Sequence, residues 1–159
     1  MPISKHVIFK LGDQNFSLDI NDVIMIEDTR ELKRVSIFPH NLKGIITLRG
    51  EIISVYSLRR KIGLEDISSN SENMLVITAL NDNMQIAFEV DEVLGIVDVT
   101  KQQFMDVPYI GQTINNTFIK SVIKVNDKLL LYLDKNKLVS EQEKKIINTV
   151  MVNKLYEKN

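Results

Sequence analysis

Val7, Phe9 and Leu11 alternate with Ile8 and Lys10, and after Gly12-Asp13 the alternation resumes in Phe16, Leu18 and Ile20. A period of two on both sides of a turn dipeptide predicts a β-hairpin with Val7, Phe9 and Leu11 on one core face and Phe16, Leu18 and Ile20 opposite them. Asn21-Asp22 breaks the alternation before the apolar stretch Val23 to Ile26. Further strands are predicted over Arg34 to Ile37, Gly44 to Leu48, Ile52 to Leu58, Met74 to Leu80, Met84 to Val90, Ile96 to Val99, Ser121 to Val125 and Leu129 to Leu133. Turn residues at Arg49-Gly50, Asn81-Asp82-Asn83 and Asn126-Asp127 punctuate them, and many short strands so spaced indicate barrels or a sandwich. Glu65 to Asn73 is almost wholly polar and reads as a solvated loop between two halves.

Near the end the period changes. Ser140-Glu141-Gln142-Glu143 has capping-box spacing, and Ile147, Val150, Met151 and Leu155 recur at three and four, so a helix over residues 140–156 is expected to lie against the strands.

The two halves also resemble each other. Phe16 to Val23 aligns with Ile86 to Val93 without a gap, and Ile26 then meets Ile96. Leu42 to Ile53 aligns with Ile119 to Leu130, the offset having grown by a few residues. Alternation alone produces matches of this kind; the other reading is a duplicated small barrel packed on its copy over a shared core. Arg49 departs from the repeat, because its counterpart is Asn126. A long cation at a turn is either solvated or a fork of donors aimed at a carboxylate or a row of carbonyls.

Composition narrows the function. Twenty basic and 21 acidic residues leave a net charge of −1, which gives no field for drawing in nucleic acid or an anionic membrane. No Cys is present, so disulfides, thiolate metal sites and cysteine nucleophiles are excluded. The first residues lack a signal-peptide core and no apolar run is long enough to span a bilayer, so a cytoplasmic protein is expected. His6 and His40 are the only histidines, without carboxylates at ligand spacing, and no glycine loop of the phosphate-binding kind occurs, so no metal and no cofactor are expected. Asp91-Glu92 and Arg59-Arg60-Lys61 read as solvated charges. A single-strand-binding barrel would want aromatic platforms and basic excess, and the chain has no Trp and 6% aromatics. A small-molecule enzyme would need a nucleophile, base or metal set that these residues do not supply.

The run Leu42-Lys43-Gly44-Ile45-Ile46-Thr47-Leu48-Arg49-Gly50-Glu51-Ile52-Ile53-Ser54-Val55-Tyr56-Ser57-Leu58-Arg59 resembles the signature of CheW-like coupling domains. Supporting matches are Phe9 to Asp13, Leu18 to Ile20, Val90 to Val93 and Leu131 to Leu138. The resemblance implies a mainly β fold of two SH3-like five-stranded β-barrel subdomains packed around a shared core, with a C-terminal helix. The whole chain, 1–159, would be one such domain, with subdomain 1 near 16–68 plus terminal segments and subdomain 2 near 74–138. It further implies a scaffold without catalytic activity that couples the cytoplasmic hairpin of a chemoreceptor, a methyl-accepting chemotaxis protein, to the regulatory domain of a CheA-type histidine kinase. Nucleic acid and direct membrane insertion have no part in that role.

Carried over by position, the receptor groove would include Val23, Ile26, Gly44 and Arg49, and the kinase face Met74, Leu75 and Ile110. Val23 and Ile26 serve equally well as plain core. Departures from the family pattern are Met25, where a Glu that pairs with the signature Arg is usual, and Thr47, Ser54, Ser57 and Ser121 in place of Asn, Pro, Asp and Gly. With Met25, Arg49 is expected to find Glu27 or Glu51, or to stay solvated. A divergent paralogue serving a different receptor and kinase is the alternative.

Overall fold

The structure is a computed structural model describing residues 3–29, 31–67, 73–81, 83–106 and 118–157, with side chains to residue 153 in the last helix. Its strands are β1 (Ile3–Leu11), β2 (Gln14–Asp19), β3 (Val23–Asp28), β4 (Leu42–Leu48), β5 (Glu51–Ser57), β6 (Met74–Ala79), β7 (Gln85–Val90), β8 (Glu92–Thr100), β9 (Phe104–Met105), β10 (Ile119–Val125) and β11 (Lys128–Leu133). Two short helices, α1 (Leu58–Lys61) and α2 (Lys135–Leu138), and the terminal α3 (Glu141–Glu157) complete it. One sheet runs β3-β6-β7-β5-β4 and the other β8-β1-β2-β11-β10-β9. The first barrel therefore takes β3 to β7, and the second takes β1, β2 and β8 to β11. Strands cross between barrels at the single turn Ile20–Asp22 and at Asp91.

The repeat extends to topology. Replacing each strand of the five-stranded sheet by its repeat partner reproduces the order of the six-stranded one from β8 to β10, and β9 alone has no strand as its counterpart. The register agrees too: β11 pairs parallel with β2 at Leu131 and Phe16, and β5 pairs parallel with β7 at the corresponding Ser54 and Ile86. Bulges fall at matched places, between Leu42 and Gly44 in β4 and between Ile119 and Ser121 in β10. Each parallel strand leads into a short helix, capped by Ser57 in one half and Asp134 in the other. Independent hairpins would have no reason to share bulges and parallel partners, so alternation alone does not account for the match.

Burial follows the pleat. In the first barrel Ile46, Leu48, Ile53, Val55, Leu75, Ile77 and Ala87 point inward. Ile8, Val99, Ile123 and Leu130 fill the second. The opposite faces of both sheets meet in a shared core that includes Phe9, Phe16, Leu18, Tyr56, Val76, Phe88 and Leu133. The predicted β1–β2 hairpin pairs Val7 with Leu18 and Phe9 with Phe16. Ile8 is buried as well, because β1 lies between a barrel interior and the shared core.

The strand predicted over Arg34 to Ile37 is not formed. That stretch is a loop with a turn closed by the Phe38 amide on the Val35 carbonyl (3.1 Å), and only Lys33 pairs, with Ile45, through two 2.9 Å hydrogen bonds. Val35 and Ile37 satisfy a β pattern locally, yet the chain here has to swing from one edge of the sheet to the other. Lys33 is the repeat counterpart of Met105 in β9, which pairs with Val122. In both halves this pairing joins the end of the sheet to the continuation of its opposite edge strand and so closes the barrel.

The terminal helix opens as its sequence dictates. The Glu143 amide donates to Ser140 Oγ (3.0 Å) and the Ser140 amide to Glu143 Oε1 (2.8 Å). Ile147 and Val150 are buried and Met151 half-buried. The Tyr56 hydroxyl lies 2.9 Å from both the Leu138 carbonyl and Glu143 Oε1, while Asn41 Nδ2 donates to Glu143 Oε2 (3.2 Å). Burial together with the Glu143 carboxylate raises the Tyr56 pKa well above its ordinary value, so the phenol stays protonated as a donor.

Candidate protein-binding surfaces

The β4–β5 hairpin turns on Arg49 and Gly50, both left-handed with φ of 53° and 82°. Its counterpart turns on Asn126 and Asp127 with φ of 47° and 66°. Asn and Asp adopt this conformation at little cost, whereas Arg pays about 1 kcal/mol for it. The side chain leaves the turn 73% exposed, with Nη2 at 3.6 Å from Glu27 Oε1 on β3. Met25 points into the first barrel, where it packs with Leu32. The carboxylate facing Arg49 is thus two residues further along the same strand than the usual family position. An exposed pair of this length contributes roughly 0–1 kcal/mol.

Ile26, next to Glu27, lies half-buried on the outer side of β3 beside the exposed Ile24, whereas Val23 packs against the shared core. Gly44 sits apart from them on β4. A Cβ there would come within 2.5 Å of the Lys33 carbonyl oxygen, so its missing side chain serves barrel closure. Ser121, its counterpart, has room for a side chain and donates from Oγ to the Met105 carbonyl (2.8 Å). Met74 begins β6 half-buried against the shared core, and Leu75 is 1% exposed inside the first barrel. Ile110 lies outside the described residues.

Two features were not anticipated. Ile24 is exposed and Ile26 half-buried on β3, Ile52 is half-buried two residues after Gly50 on β5, and their repeat counterparts Leu94, Ile96 and Leu129 are all exposed on the second barrel. There Leu94 and Ile96 border a groove of about 360 Å³ that Val125 and Lys128 also line. The repeat alignment contained the signal, since it pairs these positions with one another.

Arg59 and Asp91, read as solvated, are instead largely buried and paired: Arg59 Nη1 donates to Asp91 Oδ2 at 2.5 Å. Arg60 makes a two-pronged contact with Asp66, through Nε at 3.0 Å and Nη2 at 2.7 Å. Its guanidinium hydrogen bond holds the Asp66 carboxyl below the usual carboxylate range. Lys61 stands over the Phe118 ring. A run of three cations is thus distributed over three intramolecular partners. His6 is also buried, hydrogen-bonded to Ser17 Oγ (3.0 Å) and edge-on to Tyr132, and desolvation lowers its pKa.

Among the described residues, no three His, Asp or Glu side chains are grouped to hold a metal, and no helix is long and apolar enough to cross a membrane.

The family model of the CheW-like domain matches residues 5–143. The chain is 26% identical to the chemotaxis protein CheW of Klebsiella aerogenes over 144 residues, covering 91% of this chain and 86% of that one. It is 28% identical to the chemotaxis protein CheW of Thermotoga maritima over 134 residues, covering 84% and 85%. A 135-residue stretch is 25% identical to part of the chemotaxis protein CheA of Bacillus subtilis, covering 84% of this chain and 19% of that protein. The scaffolding protein TtCheW of Thermoanaerobacter tengcongensis has the same fold, with a TM-score of 0.80 at 23% identity over 90% of this chain and 92% of that one. With its duplicated barrels, shared core and signature hairpin accounted for by one domain model over most of its length, the chain belongs to the CheW-like domain family.

Proposed function

We propose that this protein is a chemotaxis scaffold that couples the cytoplasmic hairpin of a chemoreceptor to a CheA-type histidine kinase by binding alone. The observation that carries the reading is the apolar surface left uncovered at repeat-related positions of the two barrels, Ile24, Ile26 and Ile52 on one and Leu94, Ile96 and Leu129 on the other, which offers protein contact at two places. The match to part of a CheA chain supports it, because a kinase bearing a similar domain can offer a similar surface in return.

Receptor contact is assigned to Ile26 and Arg49, with Val23 and Gly44 supporting the strands that present them. Arg49 is the polar anchor, held out from its turn with most of its fork in water. Kinase contact is assigned to the start of β6 at Met74 and to Ile110, with Leu75 acting from inside the barrel.

Titration calorimetry with a receptor hairpin fragment and a kinase regulatory domain from the same cell tests the reading. Dissociation constants of about 100 μM or tighter are expected for each; absence of both would refute the adaptor role. Arg49→Ala is expected to weaken receptor binding about tenfold, with little change in melting temperature because the Glu27 pair is exposed.

A further inference from the structure

Strands pass between the barrels at two places, and a similar device holds each. Asp91 is the lone residue between β7 of the first barrel and β8 of the second. Its Oδ2 accepts from Arg59 Nη1 (2.5 Å), on α1 beyond β5, and from the Gly12 amide (2.8 Å), in the β1–β2 turn of the other barrel. The Asp91 amide donates to the Lys10 carbonyl (3.0 Å), and Arg59 Nε to the Glu65 carbonyl (2.8 Å). At the second crossing, Asp22 Oδ1 lies 3.5 Å from Lys135 Nζ, on α2 beyond β11. Lys135 also donates to the Ala79 carbonyl at the end of β6 in the first barrel.

In each half, then, a cation on the short helix after the parallel strand reaches the carboxylate at the crossing, and one member of the pair also bonds the other barrel's backbone. Side-chain exposures of 17% and 11% for Arg59 and Asp91, and 16% and 31% for Lys135 and Asp22, withdraw the pairs from full screening. The shared core holds the barrels together, but hydrophobic contact is non-directional. Charge-assisted hydrogen bonds have direction, and here they join groups from both sides.

We propose that the Arg59–Asp91 and Lys135–Asp22 clamps are positioning elements that fix the angle between the barrels, and with it the relative orientation of the two partner-binding faces. Only the last step rests on the adaptor reading; the clamps are a property of the chain.

Because the chain has no Cys, spin labels can be placed through Glu51→Cys and Lys128→Cys, exposed repeat-related positions beside the two hairpin turns. Pulsed dipolar spectroscopy then reads the distance between barrels. Arg59→Gln and Asp91→Asn should each broaden the distance distribution, and further when combined with Lys135→Met. Lys5→Gln, which breaks the exposed Lys5–Asp98 pair, should leave it unchanged. Amide exchange in β1–β2 and β6–β7 reports whether each barrel remains folded.

Folded variants whose distribution superimposes on the parent would overturn the proposal. Should Arg59→Gln fail to fold, Asp91→Asn is the decisive variant, since its amide oxygen keeps an acceptor for Gly12 while the charge that holds Arg59 is removed. Unfolding of both would also overturn it, because the clamp would then hold the fold and not the angle. If the parent bound neither receptor fragment nor kinase domain, the adaptor reading would fail while the distance measurement still decided the clamps.

Discussion

Gly44→Ala perturbs barrel closure at one atom. The added Cβ would lie 2.5 Å from the Lys33 carbonyl oxygen and 3.1 Å from its carbon, about 1 Å inside ordinary contact. The obstacle is backbone, so relief requires the segment at Lys33 to lift away from β4. Lifting it lengthens or breaks the two 2.9 Å hydrogen bonds between Lys33 and Ile45, at about 1 kcal/mol each, and overpacking adds a further 1–3 kcal/mol. The expected destabilisation is about 3–5 kcal/mol. Urea unfolding measures it as a lowered midpoint with little change in slope, and amide exchange should show Lys33 and Ile45 losing protection before the rest of β4. Ser121→Ala at the matched bulge is the internal comparison. It loses the bond to the Met105 carbonyl and a longer contact with the Val122 carbonyl (3.4 Å) and should cost about 1 kcal/mol. Equal costs for the two variants, or Gly44→Ala below about 1 kcal/mol with both amides protected, would refute the close-approach reasoning.

Tyr56→Phe keeps the edge contact with Phe88 but removes the hydroxyl between the Leu138 carbonyl and Glu143, so chemical unfolding should show a loss of about 2 kcal/mol, with α3 exchanging first. Thr78 is fully buried and its Oγ1 has no partner among the described residues; Thr78→Val should raise unfolding stability by about 1 kcal/mol, and destabilisation would show that the hydroxyl is satisfied. His6 has a folded pKa below its ordinary 6.5, chiefly through desolvation and despite Asp19 and Asp22. The unfolded chain therefore binds the proton first, and stability present above about pH 6.5 should decline as the pH falls toward the folded value. His6→Gln should flatten that slope in unfolding curves collected between pH 7.5 and 5.

Apolar pattern and flanking turn residues announced β1, β2, β4, β5, β6, β7, β10 and β11, and a capping box announced the terminal helix. Arg34 to Ile37 misled because Val35 and Ile37 alternate with polar residues while the loop containing them packs only Phe38 into the core. Strand β9 was invisible because two residues carry no period. The charges of Arg59, Asp91 and Arg60 were read as solvated on the base expectation for such residues. Arg59 and Asp91 lie 32 residues apart, and a pairing of that kind leaves no trace in local composition; Arg60 finds Asp66 only 6 residues on, once the chain has turned after α1.

The sequence by itself determined where the hairpins turn and that a helix with one apolar stripe follows the last strand, since each follows from local period and turn chemistry; it offered the duplication as one of two readings, and the matched bulges and parallel partners decided it. Which strands share a barrel was decided only in three dimensions. Parallel pairing of β5 with β7 and of β2 with β11 is a long-range choice, made by packing the two apolar faces of strands such as β1 and β7 at once. The same packing brings Gly12, Arg59 and Asp91 to one point, so the clamp, and the orientation of both patches, belongs to the tertiary structure.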